Sequence, residues 1–228
     1  MPVYWLDENE IYFPPVNTAY PDGLLAVGGD LSPERLLLAY RMGIFPWYNP
    51  QEPILWWSPN PRLVLFPDEL KVSKSMNSYS NQSKFKVSFN RNFEDVIRGC
   101  ATVKRSISEG TWISEEMIEA YIYLKELGFA HSVEVWQSGE LVGGLYGVAF
   151  GKVFFGESMF TKVSNASKFA FISLVKLLKE KEFYLIDCQQ ETKHLMSLGA
   201  RSIDRNEFVG YLDKNYDNHQ FEKLILPR

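Results

Sequence analysis

The sequence predicts an α+β fold in two parts. A small Pro- and aromatic-rich N-terminal domain spans residues 1–62, and a larger domain over 63–228 holds a central, mainly antiparallel sheet flanked by helices. Three observations predict this. Apolar runs between His131 and Phe160 are separated by tight turns, the mark of a strand meander. Apolar residues recur at helical spacing on both sides of that meander. Pro46, Pro50, Pro53, Pro59 and Pro61 sit among Trp47, Trp56 and Trp57, which makes that stretch extended or looped rather than helical.

Phe13-Pro14-Pro15 and Tyr20-Pro21-Asp22-Gly23 read as turns, and Leu24 to Val27 as a short apolar run before Gly28-Gly29-Asp30. A helix then starts with Ser32 as N-cap, Pro33 at the first helical position and Glu34 in the first turn. It runs through Leu36, Leu37 and Tyr40 and ends at Gly43. Arg62 to Phe66 reads as a strand, the polar stretch 71–84 as a solvated loop with a short helix left open, and Lys86 to Phe89 as a second strand. Phe93, Val96, Ile97 and Cys100 share a helix face. Ser114 caps the next helix, with Glu115 and Glu116 at the positive end of its dipole and Met117, Tyr121, Leu124 and Leu127 as the apolar stripe up to Gly128. The meander follows: His131 to Gln137, Leu141 to Phe150, Lys152 to Phe160. Glycines 143, 144, 147, 151 and 156 permit bulges and close backbone approach within it. Asn165 is expected to cap a long helix reaching Glu180, Tyr184 to Gln189 to form a strand, and Glu191 to Leu198 a helix stopped by Gly199. Residues 203–212 form a mixed closing element. A meander followed by helix, strand and helix is the order of GNAT-type acyltransferases, an analogy of fold alone.

Composition narrows the function classes. The chain has 228 residues, 46% of them apolar and 23% charged, which excludes wholesale disorder and allows a sizeable core. Lys and Arg total 24 against 28 Asp and Glu, a net charge of −4, so a strongly basic nucleic-acid coat is excluded and only a local basic patch remains open. Cys100 and Cys188 cannot make a disulfide framework or a four-cysteine zinc site, and His131, His194 and His219 are not spaced as metal ligands. The first residues lack a basic start and an apolar stretch, and no apolar run is long enough to cross a bilayer, so a cytoplasmic protein is expected.

Several constellations carry chemistry. Asp187-Cys188-Gln189 lies on a short strand, where alternation would point Asp187 and Gln189 one way and Cys188 the other. A carboxylate beside an amide can orient and polarise an amine, although a polar strand end with a buried thiol has the same pattern. Glu157 sits in Phe154-Phe155-Gly156-Glu157-Ser158-Met159-Phe160, where a buried carboxylate is costly unless paired; the alternative is an edge strand with Glu157 in water. Regular alternation would put Phe155, Glu157 and Met159 on one face, and Gly156 is where a bulge would break that parity. Trp47, Trp56, Trp57 and Trp112 are either base-stacking platforms or members of a core cluster. Lys71, Lys74, Lys84, Lys86, Arg91, Lys104 and Arg105 form a loose basic stretch that also suits an ordinary solvated surface. No Walker A loop or dinucleotide fingerprint is present, since the glycines from Gly143 to Gly147 lie inside a strand.

Longer strings point further. Gly23 to Pro33, Gly43-Ile44-Phe45-Pro46-Trp47, Ile54 to Pro59, Gly110-Thr111-Trp112-Ile113, Glu134-Val135-Trp136, Leu141 to Gly147, Gly156 to Phe160, Asn165 to Lys168 and Leu185 to Gln189 occur collinearly over about residues 10–212. This set closely resembles the bacterial leucyl/phenylalanyl-tRNA–protein transferase family. The resemblance implies a small N-terminal domain joined to a GNAT-like acyltransferase domain, with no cofactor and no metal. It implies transfer of Leu or Phe, with Met left open, from aminoacyl-tRNA to the α-amine of proteins beginning with Lys or Arg, marking them for N-degron degradation. By motif position, Asp187, Gln189 and Glu157 match the family's catalytic positions. Trp47 and Trp112 match tryptophans that bind the aminoacyl-tRNA 3′ end. Leu145, Phe154, Met159, Phe171 and Ile186 would form the pocket for the transferred side chain. A monomer is expected.

The segment Ser75 to Lys86, a tRNA-contact surface by the same resemblance, departs from the pattern. It carries Asn77, Ser78, Asn81 and Gln82 beside Lys84 and Lys86, so few phosphate contacts are expected. Two other readings are open. A coenzyme A-dependent acetyltransferase would need a glycine-rich pyrophosphate loop before the long helix, and residues 161–166 contain no glycine. A non-enzymatic adaptor would bind basic N-termini through Asp187 and Glu157.

Overall fold

Two sheets of unequal size organise the chain in the computed structural model, which describes residues 3–74, 76, 84–102 and 113–217. The small sheet holds β1 (Tyr4–Leu6), β2 (Leu24–Gly28), β3 (Phe45–Pro46) and β4 (Leu55–Trp57) in the order β1-β2-β4-β3, antiparallel except for β1 on β2. Helix α1 (Pro33–Arg41) connects β2 to β3. Its start is as expected: the Ser32 hydroxyl accepts from the Arg35 N–H, Pro33 stands in the first turn, and Gly43 takes the left-handed conformation (φ +74°) just past the end.

The large sheet contains β5 (Arg62–Leu65), β6 (Lys86–Phe89), β7 (Ala130–Gln137), β8 (Glu140–Phe150), β9 (Val153–Thr161), β10 (Leu185–Gln189) and β11 (Arg201–Ile203). Their order is β11-β5-β10-β9-β8-β7-β6, and only the β10–β9 pair is parallel. The helices are α2 (Phe93–Ala101), α3 (Glu115–Glu126), α4 (Ala166–Glu180), α5 (Lys193–Ser197) and α6 (Arg205–Asp217). The fold is thus α+β with a small N-terminal sheet and a mainly antiparallel main sheet flanked by helices. The meander β7–β8–β9 leads through α4 into β10, which pairs parallel with β9, a pairing that requires a connection of about a helix's length.

Apolar side chains fall into clusters on the two faces of the main sheet. One joins Leu36, Ala39 and Tyr40 of α1 to Val96, Tyr121, Tyr146 and Phe155, and includes Trp56 of the small sheet. The other packs Leu145, Phe154 and Ile186 under Phe171, Leu174 and Leu178 of α4. Apart from Leu141, the Leu, Val and Phe of β8, β9 and β10 are buried, on both faces of the sheet, which is why these strands read as nearly continuous apolar runs.

Three local expectations need correction. Asn165 precedes α4 but does not cap it with its side chain: its backbone is left-handed (φ +70°), which turns the side chain away from the first-turn amides. The helix expected from Glu191 to Leu198 shortens to α5, because Thr192 is the residue whose hydroxyl accepts from the Leu195 N–H at 3.2 Å. The mixed element expected at 203–212 resolves into β11 and the helix α6, whose Phe208 and Leu212 enter the core. Trp112, Lys104, Arg105 and, within the segment Ser75 to Lys86, Asn77, Ser78, Asn81 and Gln82 lie outside the described residues.

Candidate active site

A cavity of about 420 Å³ lies between the end of β3 and the strands β8, β9 and β10. Its inner wall is apolar. Leu145, Phe154, Met159, Phe171 and Ile186, expected to line a side-chain pocket, all line it, joined by Leu174 and Phe45. Its other wall is polar and brings together Glu157, Asp187, Gln189, Thr192 and His194. Trp47 stands at the cavity with 40% of its surface exposed, its ring 5.7 Å from that of Trp57. The tryptophan cluster therefore divides. Trp56 is fully buried against Phe13 and donates its indole N–H to the Gly28 carbonyl, a core role, whereas Trp47 presents a ring at the opening.

Two bulges aim the polar groups. On β9, Tyr146 pairs with Ser158 and Gly147 with Gly156, so Glu157 is the extra residue. Parity breaks there: Phe155 and Phe160 pack into the α1 side of the sheet, while Met159 packs under α4. Met159 thus reaches the apolar wall, and Glu157 points into the α1 side. β9 is an interior strand and Glu157 is 7% exposed, which removes the solvent-facing edge reading. On β10, Asp187 pairs with Val64 and Gln189 with Leu63, so Cys188 is the extra residue, and Gln189 is left-handed (φ +64°). The expected alternation fails as a result. Asp187, Cys188 and Gln189 all reach the cavity. Burial pushes the Cys188 thiol far above the usual range, so it is no thiolate nucleophile.

Asp187 is fully buried and bound on both oxygens. Arg62 donates from Nε to Oδ1 at 2.8 Å and from Nη2 to Oδ2 at 2.6 Å, and the Gln189 backbone N–H donates to Oδ1 at 2.9 Å. The guanidinium lies between the rings of Phe45 (4.7 Å) and Phe208 (4.8 Å). Asp187 therefore meets Gln189 through the main chain and holds the bulge. Its charge is already neutralised, so a substrate cation would have to displace a buried bidentate pair.

Glu157 has a different environment. Tyr40 of α1 donates to its Oε1 at 2.8 Å, the Tyr121 hydroxyl of α3 lies 3.0 Å from its Oε2, and the Gln189 Nε2 stands 3.5 Å from Oε1. Burial pushes the acid up to about 7, offset in part by the two phenol hydrogen bonds. The folded chain thus holds a proton at Glu157 that the unfolded chain releases near pH 4.5, so this residue's contribution to stability declines as pH rises toward 7 and is level above it.

Arg62, Tyr40 and Tyr121 were not singled out by sequence. A signal was present for each. A charged residue opening the apolar strand Arg62-Leu63-Val64-Leu65 must find a counter-charge if buried, and a tyrosine in a core stripe must find a partner for its hydroxyl. Which partner each finds depends on elements far apart in the chain.

The family model described as leucyl/phenylalanyl-tRNA protein transferase matches residues 64–213, and that of its N-terminal domain matches residues 29–60. The chain is similar to the leucyl/phenylalanyl-tRNA–protein transferase of Pseudomonas fluorescens (strain Pf0-1), at 56% identity over 94% of this chain and 96% of that one. Similarity to the one from Syntrophobacter fumaroxidans is 60% over 94% and 92%. A GCN5-related N-acetyltransferase from Kribbella flavida shares a looser likeness, with a TM-score of 0.34 and 11% identity over 75% of this chain and 60% of that one. Identity of this order along nearly the whole length shows that the chain belongs to the leucyl/phenylalanyl-tRNA protein transferase family, aminoacyltransferases that use a charged tRNA as donor and a protein as acceptor.

Proposed function

We propose that the chain moves Leu or Phe, and Met as a further unbranched-at-β donor, from aminoacyl-tRNA to the α-amine of proteins beginning with Lys or Arg. The transfer would mark those proteins for N-degron degradation in the cytoplasm. The observation that carries the reading is a cavity whose lining brings the apolar side chains Leu145, Phe154, Met159, Phe171 and Ile186 together with Gln189 and Glu157. The reaction is aminolysis of an ester. The α-amine forms a C–N bond with the aminoacyl carbonyl, the ester C–O bond breaks, and the proton lost by the amine ends on the ribose oxygen that leaves. An α-amine has an unperturbed pKa near 8, so a usable neutral fraction exists at about pH 7. Positioning is then the main requirement.

In this reading Leu145, Phe154, Met159, Phe171 and Ile186 hold the donor side chain, and Trp47 stacks on the terminal adenine of the tRNA. Trp112 has the same role by motif position. Gln189 contacts the acceptor amine. With Nε2 turned to Glu157, the amide oxygen is left to accept from that amine. Asp187 and Glu157 act through Gln189, one on its backbone and one on its side chain. The two units, 1–62 and 63–228, would meet at the site through Phe45, Pro46 and Trp47.

The test uses purified protein, a peptide beginning with Arg, and Phe- or Leu-charged tRNA, read by mass spectrometry. Addition of one Phe or Leu residue is expected. Gln189→Ala should lower kcat/KM by about 100-fold, and full activity in that variant removes Gln189 from the mechanism. Leu145→Phe narrows the apolar wall and should shift selectivity toward Leu over Phe by about 10-fold or more. An unchanged Leu/Phe ratio would place the donor side chain elsewhere.

A further inference from the structure

Tyr40, Tyr121 and Glu157 come from α1, α3 and the β9 bulge and meet as a closed ring beneath Gln189. The two phenol oxygens are 2.5 Å apart, and the carboxyl oxygens lie 2.8 Å from Tyr40 and 3.0 Å from Tyr121. All of these side chains are buried. A ring of three oxygen–oxygen contacts needs three hydrogens. Two come from the phenols, which burial and the neighbouring acid hold well above the usual tyrosine range. An ionised carboxylate brings none, and one contact would then set lone pair against lone pair. A carboxylic acid supplies the third: its O–H donates to one phenol, that phenol to the other, and the second phenol back to the remaining carboxyl oxygen.

The surroundings agree. The Arg62 guanidinium on β5 favours charge at Glu157, but it is bound to Asp187 on β10, whose carboxylate opposes it. The Cys188 thiol is neutral by burial, and Tyr146 of β8 packs edge-on against Tyr121 with ring centroids 5.4 Å apart. We infer that Glu157 closes this ring as a neutral acid, and that Tyr40 and Tyr121 are positioning residues that hold its carboxyl in place and thereby fix the Gln189 carboxamide. The link to catalysis rests on the transferase reading above; the proton count does not. With the acid neutral, its Oε1 behaves as a carbonyl oxygen that accepts from Tyr40 and faces Nε2 of Gln189. Burial pushes Glu157 up to about 7, so the ring loses its third hydrogen as pH rises through that value.

Two readouts test this. The infrared difference spectrum of wild type minus Glu157→Gln, without substrate, should show a protonated-carboxyl band at pH 6 that fades toward pH 9. Tyr40→Phe and Tyr121→Phe should each move the midpoint of that fading while leaving the chain folded by circular dichroism. In the transfer assay Glu157→Ala should lose about 100-fold at pH 7. Glu157→Gln supplies a donor and an acceptor without charge, so it should recover to within about 10-fold of wild type and lose the fall in rate between pH 7 and 9. No protonated-carboxyl band at pH 6 overturns the inference, as does a Glu157→Gln enzyme no better than Glu157→Ala at every pH. A band with wild type inactive in transfer overturns the transferase reading and leaves the ring standing.

Discussion

Arg62→Met should destabilise the chain by about 3–5 kcal/mol, because it leaves the Asp187 carboxylate buried without its cation. For a protein of this length that corresponds to a melting temperature lower by about 6–20 °C. Both partners are essentially unexposed, so solvent cannot screen the loss. Activity should fall with it. Asp187 accepts the Gln189 backbone N–H and so holds Gln189 in its left-handed conformation. A shift of that backbone by about 1 Å is enough to cost about 100-fold in rate. A double variant separates charge from shape. Asp187→Asn in the Arg62→Met chain removes the orphaned charge and keeps an oxygen for the Gln189 N–H. It should recover at least half the lost stability and part of the activity, measured by urea titration and the transfer assay. If Arg62→Met stays fully active and equally stable, the pair is not what positions Gln189. If the double variant is no more stable than the single one, shape and the aromatic sandwich around Arg62 dominate over charge.

The same pair shows what the sequence could convey. Much of the local structure was legible. The Ser32-Pro33-Glu34 helix start, the Ser114 cap and the strand meander form where the residues direct them, since each depends on neighbours a few positions away. The apolar wall was legible through motif position, and its five residues do converge. What failed was alternation on β9 and β10. One inserted residue reverses the face of everything after it, and neither bulge has a sequence signature stronger than a nearby glycine. The partners of the acids were hidden for a second reason. Arg62 reaches Asp187 across 125 positions, and Tyr40 reaches Glu157 across 117. Tyr40 and Tyr121 were read as apolar stripe, which their burial confirms, but the hydroxyl of each is the part that matters at the site.

Gly147→Ala should be among the most damaging single changes, at about 4 kcal/mol or more of lost stability. A Cβ at Gly147 would lie 2.1 Å from the Phe155 carbonyl oxygen and 2.5 Å from the Phe154 ring. The first of these is backbone on the paired strand, so no rotamer change relieves it. Gly147 pairs with Gly156 beside the Glu157 bulge, where the strands must approach closely for the extra residue to turn inward. Relief of the clash would push β9 away from β8, carrying Phe154 out of the apolar wall and Glu157 off its tyrosines. Stability and transfer should therefore be lost together. Gly210→Ala is the matched control. A Cβ there meets nothing within 4 Å, and the residue lies within α6, where alanine favours the helix by about 1 kcal/mol. Urea titration of the two variants should move the midpoint in opposite directions. Equal, small effects at both positions would mean that β8 and β9 have room to separate, and the bulge would then owe its geometry to Tyr40 and Tyr121 pulling on Glu157 rather than to the glycine opposite it.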